Sequence, residues 1–208
     1  MRQNLIYVVV GQIGSGKSDN MKNTVRKILN NSPSINKLVV FDDGDYENWQ
    51  NMKTYNFPEG MHKNIPIIKE ENLLRLKSGY VRVIQQNEEV KSYIEMFSQL
   101  KNAVVVIEDA TRSFPAEERV PKPLRKLFIN VKQRNIELFM AFHSLAEVPA
   151  WIARNCRVII LHHVQDPAVP SKLSNPMIKK AFAALKDSPK YKDKFSNIHI
   201  PVNVNITT

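Results

Sequence analysis

Eight consecutive residues concentrate the chemistry of this chain: Gly11, Gln12, Ile13, Gly14, Ser15, Gly16, Lys17 and Ser18 match the spacing G-x-x-x-x-G-K-[ST] in full. They follow the apolar run Leu-Ile-Tyr-Val-Val-Val at 5–10 and precede a helix-compatible stretch. The residue types suit a phosphate cradle. Glycines let successive backbone N–H groups turn inward around a polyphosphate, Lys17 reaches the outer phosphates, and the Ser18 hydroxyl is available to Mg2+. A helix starting near Gly16 brings its positive end to the same anion. A strand before and a helix after separate such a loop from a chance glycine turn, so the expected ligands are a nucleoside triphosphate, taken as ATP, and Mg2+.

A second reactive group stands at 104–109, Val-Val-Val-Ile-Glu-Asp. Four apolar residues make a buried strand, and Glu108 and Asp109 leave its C-terminal end, where ligands bind in open parallel sheets. One carboxylate can hold Mg2+, and its neighbour can orient and deprotonate the water that attacks the outer phosphate. A kinase, whose nucleophile is a substrate hydroxyl, does not require the second acid. By position Glu108 is the metal-side acid, with Ser18 as its companion, and Asp109 the base. The usual order in such motors is Asp then Glu, so the exchanged assignment stays open. His143 and Ser144 follow the strand expected at 138–142 and are placed to sense the outer phosphate or the attacking water; the alternative is a strand-end histidine bonded to backbone. Arg134, at the end of the preceding helix, is a candidate arginine finger for a neighbouring subunit's nucleotide. Its alternatives are plain solvation, or that role falling to Arg112, Arg119 or Arg154.

These groups need a scaffold, and the hydrophobic pattern supplies one. Short apolar runs alternate with helix-like segments, which predicts an α/β fold with a mainly parallel central sheet covered on both faces, a three-layer P-loop NTPase fold. Strands are expected at 5–10, 38–41, 66–69, 80–85, 103–107, 137–142 and 156–161, and helices at 16–30, 88–100, 124–134 and 176–185. Residues 42–45 favour a turn. The segment 46–70 reads as connecting structure, 111–123 with its three prolines as an exposed loop, and 150–154 as a short turn. The expected division is an ATPase core over 1–165 and a basic tail with one helix over 166–208. In the tail, seven lysines stand against three aspartates. Leu173, Met177, Ile178, Ala181, Phe182 and Leu185 give its helix an apolar face that must pack.

The chain of 208 residues has room for one good core. Its net charge of +10 and pI near 9.7 suit a polyanionic partner, nucleic acid or an anionic membrane surface. A single cysteine, Cys156, forms no internal disulfide and reads as a core residue in a reducing cytoplasm. No secretory signal and no membrane-spanning run of about 20 apolar residues is expected.

Taken in order, GQIGSGKS, LVVFDDGDYEN, VVVIEDATRSFP, KQRNIELFMAFHS and PAWIARNCRVIIL resemble the FtsK/HerA superfamily of P-loop ATPases over residues 5–165. The Asp-Gly-Asp-Tyr turn at 43–46 and the Arg-Asn before, and His-Ser after, the strand expected at 137–142 are the more discriminating parts. Among members, small viral genome-packaging ATPases match this length best. The stretch EDATRSFPAEERVP is also similar to the zonula-occludens-toxin-like assembly ATPases of filamentous phages, which typically carry a membrane segment. Where the family often has a Thr-Gln pair, this chain has His143 and Ser144. The resemblance implies a hexameric or pentameric ring with nucleotides at subunit interfaces and DNA in a basic channel. A capsid or portal-vertex protein is implied as a partner, and the host cytoplasm or the virion as the location. Two other functions compete: an assembly or secretion ATPase acting on protein cargo, and a small-molecule kinase with residues 111–120 as a lid.

Overall fold

Strand β1 is Ile6–Val10, and all five of its residues are buried. In the computed structural model, which describes residues 5–42, 49, 65–84, 99–114, 122–173 and 175–202, β1 feeds the glycine-rich loop and then helix α1, Lys17–Asn31. The expected helical spacing is realised in α1, where Met21, Val25, Ile28 and Leu29 are buried. Asp19 in the first turn suits the positive end of the helix.

Strands β2 (Lys37–Asp42), β3 (Gly79–Ile84), β4 (Ala103–Ile107), β5 (Ile136–Phe142), β6 (Val158–His162) and β7 (Asn197–Pro201) complete a seven-stranded sheet of order β3-β2-β4-β5-β1-β6-β7. β2 pairs in parallel with β3 and β4, β1 with β6, and only the last pair, β6 with β7, runs antiparallel among the registers described. β4 and β5 are buried along their whole length, the pattern of strands covered on both faces. The expected mainly parallel α/β sheet is the one observed. The remaining helices are α2 (Ala110–Ser113), α3 (Lys122–Gln133), α4 (Ala150–Asn155) and α5 (Pro176–Asp187).

Internal contacts group the chain into two compact units. One holds α1 from Ser18 onward, β2, β3, β4 with Glu108, α3 and β5 as far as Phe139; the other holds β1, the loop through Lys17, α2, the end of β5, α4, β6, α5 and β7. In the first unit, Arg82 of β3 is paired with Asp42 at the end of β2 at 3.3 Å, both almost fully buried. The strand expected at 66–69 is a single parallel bridge, Ile67 with Arg82.

Local differences from the sequence reading have physical causes. Residues 150–154, expected as a turn, belong to helix α4, because Trp151, Ile152 and Ala153 find buried places. The loop expected from 111 begins as the helical turn α2, and Phe114 is buried with its ring against Trp151, centroids 6.2 Å apart. Pro123 lies inside α3 rather than before it, in the first turn where a missing N–H costs nothing. The segment 166–202 carries β7 as well as α5. The Asn175 side chain caps α5 by accepting from Met177 N, and Ile178, Ala181 and Leu185 turn inward while Met177 stays exposed. The helix expected at 88–100 and the turn at 43–46 fall almost wholly or wholly outside the described residues.

Candidate active site

The backbone of the loop is built to surround an anion. Gly14 and Gly16 sit at φ +77° and +79°, a region that side chains with a Cβ avoid. Gly11 is needed for another reason: a Cβ there would stand 2.6 Å from both the Ser15 Oγ and the His162 Cβ. α1 begins at Lys17, so its first-turn N–H groups open toward the loop. The Ser15 hydroxyl is buried with no hydrogen-bond partner among the described residues.

Lys17 is largely buried, and its Nζ donates to the carbonyls of Gly11 and Gln12, the latter at 3.1 Å. The same Nζ lies 3.4 Å from Nδ1 of His143. Nε2 of that ring is 3.8 Å from Oδ1 of Asp109. Loop lysine, strand-end histidine and acid thus form one line. In the sheet order β5 stands between β4 and β1, which explains how a residue at the end of β5 meets both. Asp109 adopts φ 44°, ψ 61°, a left-handed conformation uncommon outside glycine, at the start of α2. Glu108, its neighbour, accepts a 2.7 Å hydrogen bond from Nε1 of the buried Trp49. Lys22 of α1 lies 5.9 Å from the centroid of that indole and 3.4 Å from Asp19.

Two acids that sequence reasoning missed hold the turn after β5. Oε2 of Glu147 accepts from the backbone N–H of His143 (2.9 Å) and of Ser144 (3.1 Å), and from the Thr111 hydroxyl (3.3 Å). Glu147 N donates back to Ser144 Oγ at 3.3 Å, which makes Ser144-Leu145-Ala146-Glu147 a capping box. Its S-x-x-E spacing was a readable signal. Asp166, beyond β6, accepts from Leu145 N and Ala146 N at 3.0 and 3.1 Å. Lys172 donates to the Ala146 carbonyl at 2.5 Å. Glu147→Ala, on the ATPase reading argued below, is expected to cut turnover by about tenfold to a hundredfold through a loosened His143, with ATP affinity within about threefold. Glu147→Gln, which keeps an acceptor, should recover part of the loss. Steady-state kinetics beside a binding isotherm checks this, and unaltered turnover in Glu147→Ala would refute it.

On the other flank of the loop, His162 at the end of β6 is fully buried, with Nδ1 2.9 Å from the Ser15 carbonyl. Burial first, and then the positive charge of Lys17, lower its pKa to about 4, so the ring is neutral near pH 7. Cys156 is buried with its thiol pushed up to about 12 by desolvation, which suits packing and not nucleophilic chemistry.

Arg134 is not part of this cluster. It precedes β5, whose seven residues separate it from His143 at the other end, and its Nη1 donates to the Gln99 carbonyl at 2.8 Å. Arg154 is exposed on α4; the side chain of Arg112 and all of Arg119 lie outside what is described.

The donor set suits a nucleotide with Mg2+. The glycine cradle, the buried Ser15 hydroxyl and the Lys17 ammonium are of the kind that suits phosphate oxygens, and the Ser18 hydroxyl and Glu108 carboxylate are oxygen donors of the kind Mg2+ takes. Among the described residues no group of three or more His, Cys, Asp or Glu could hold a metal by itself.

Comparison with solved structures bears on the fold that carries these residues. The genome packaging NTPase B204 from Sulfolobus turreted icosahedral virus 2, in complex with ATP-gammaS, superposes with a TM-score of 0.71 at 14% identity, over 98% of this chain and 94% of that one. This chain has the P-loop fold of B204. The DNA-packaging ATPase B204 from Sulfolobus turreted icosahedral virus gives 0.65 at 14% identity, over 97% of this chain and all of that one. The N-terminal domain of zonular occludens toxin from Neisseria meningitidis gives 0.49 at 14% identity, over 79% of each chain. The P-loop fold expected from the motifs is therefore the fold that the two B204 structures share with this chain. No family model and no curated protein sequence matches the chain.

Proposed function

We propose that this protein is an ATP-hydrolysing motor that translocates or packages DNA. The observation that carries the hydrolytic part is the line from Lys17 through His143 to Asp109, with contacts of 3.4 and 3.8 Å. Lys17 exchanges its loop carbonyls for the outer phosphates of ATP. Asp109 takes the proton of the attacking water, and His143 senses whether the outer phosphate is present. Ser18 and Glu108 hold Mg2+, which when bound supplies positive charge to the phosphates as negative charge builds. Glu147 keeps the His143 turn in place.

The cargo reading rests on charge and on fold analogy with the packaging NTPases. A net charge of +10 supplies contacts that grip phosphates without reading sequence, as a motor requires. In its working state the protein would be a pentameric or hexameric ring, with Arg134 of one subunit serving the nucleotide of the next and a capsid or portal-vertex protein as docking partner. Among the described residues no helix is long and apolar enough to cross a membrane.

The test is an ATPase assay with and without single- and double-stranded DNA across salt. Turnover should rise with DNA at low salt. The stimulation should fade steeply, since six or more phosphate contacts lose about a thousandfold in affinity between about 50 and 200 mM salt. ATP hydrolysis with no DNA affinity at low salt would redirect the reading to protein cargo, and stoichiometric phosphorylation of a metabolite would replace it with a kinase.

A further inference from the structure

The stretch 176–195, all of it in the second compact unit, carries six lysines and two aspartates. Lys179, Lys180 and Lys186 stand on α5, Lys190, Lys192 and Lys194 on the turn that follows, and all six are exposed. Three of the ammonium groups lie near aromatic rings. Lys186 is 6.0 Å from the Phe182 centroid, Lys190 5.4 Å from that of Tyr191, and Lys194 4.9 Å from that of Phe195. Phe195 is 53% exposed, a large apolar surface left in water. Lys186 and Lys192 border one open cavity of about 470 Å3, together with Phe182 and His163. Asp166 and Asp187 line it too, and Asp166 is committed to the N–H groups of Leu145 and Ala146.

The turn is held in one shape. The Ser188 hydroxyl accepts from Lys190 N, and the Asp193 carboxylate from Phe195 N. Nε2 of His163 lies 2.8 Å from the Tyr191 carbonyl and 3.1 Å from that of Asp193, while the His163 carbonyl accepts from Gln12 N of the phosphate loop at 2.8 Å. At the end of the turn, Cδ1 of Phe195 stands 3.0 Å from where a Cβ on Gly16 would be.

We propose that this surface grips single-stranded DNA, the lysines meeting phosphates and the Tyr191 and Phe195 rings meeting base faces; the assignment rests on the DNA-cargo reading above. Lysines supply attraction that is indifferent to sequence. Aromatic rings add stacking, which every base accepts. A duplex hides its base faces in its own stack, so rings set among lysines favour the unpaired strand. A braced turn loses little freedom on binding, which leaves more of the contact energy as affinity. An anionic membrane fits less well: it takes a helix by its apolar face, and Ile178, Ala181 and Leu185 of α5 are already buried.

The experiment measures binding of a labelled oligothymidylate of about 20 nucleotides, and of a duplex of that length, by fluorescence anisotropy between about 50 and 200 mM salt. The intact chain is compared with three variants. One combines Lys186→Glu, Lys190→Glu and Lys192→Glu, and the second is Tyr191→Ala. The third is a control, Lys27→Glu with Lys69→Glu and Lys77→Glu, which changes the net charge equally from exposed positions of the other unit. The first should weaken single-strand binding about a hundredfold at about 0.1 M salt and flatten the log–log salt slope by about two. Tyr191→Ala should lose about tenfold on the single strand and less than about twofold on the duplex. Screening should keep the control within about fivefold of the intact chain, and ATP affinity within about twofold in all three, which also reports that they fold.

Unchanged single-strand binding in either of the first two variants overturns the assignment and leaves DNA as cargo. So does an equal loss in the control, a Tyr191→Ala loss shared by the duplex, or a parallel loss of ATP affinity. Capture of phosphatidylserine vesicles that the lysine reversals abolish, with no binding of the oligonucleotide, overturns it in favour of a membrane. An intact chain that binds neither DNA at the lowest salt removes the cargo reading itself.

Discussion

Replacing Lys17 by methionine is expected to abolish ATP binding while leaving the empty protein about as stable as before. The ammonium of Lys17 is largely buried, and the partners described for it are two loop carbonyls and a histidine ring. An apolar side chain of similar length should therefore change stability by no more than about 1 kcal/mol, the lost hydrogen bonds set against relieved desolvation. In the unsubstituted chain, ATP at a hundred times its Kd should add about 2.7 kcal/mol to unfolding. Lys17→Met should show none of it. Thermal melts with and without ATP and Mg2+ check both halves together. A melting shift of ordinary size in Lys17→Met would remove Lys17 from the site, and a collapse of the empty variant would make it a structural residue.

What could be read in the sequence is what lies contiguous in the chain. The phosphate loop and the Glu108-Asp109 pair each occupy a few successive residues at the end of an apolar run. Their chemistry and their place at strand ends come from local pattern alone. Three residues of the site were invisible for the opposite reason. Trp49 meets Glu108 across 59 positions and Asp166 meets Leu145 across 21; Phe195 reaches Gly16 from the far end of the chain. No spacing announces such meetings, because the sheet order makes them. Short elements escaped too. α4 has six residues and β7 one well-buried side chain, Ile200, among five, too few for a period to show. Glu147 was legible and overlooked, since a capping box is expected to open a helix, and this one closes the turn after β5 with Val148 and Pro149 still between it and α4.

Glu108→Gln combined with Asp109→Asn is expected to keep ATP binding and to stop hydrolysis. The substitutions are close to isosteric, and the local structure allows for them. An amide oxygen at 108 still accepts from Trp49 Nε1, now at 2.7 Å. Asparagine tolerates the left-handed backbone of 109, φ 44°, as readily as aspartate does. What disappears is the charge on one side chain and the basicity of the other. Loss of a general base alone costs about 10²–10⁴ in rate, and the double variant should lose about 10⁴ or more. The singles separate the roles. Glu108→Gln should raise the Mg2+ concentration needed for half-maximal turnover. Asp109→Asn should lower kcat with little change in KM or in Mg2+ demand. The reverse pattern would exchange the two assignments and restore the more usual order of acids. Full activity in the double variant would sink the hydrolytic reading of this strand end. The Trp49 contact adds a readout independent of turnover: an indole bonded to a Glu108 carboxylate should change its fluorescence when Mg2+ and ATP arrive, and Glu108→Gln should mute that change even where ATP still binds.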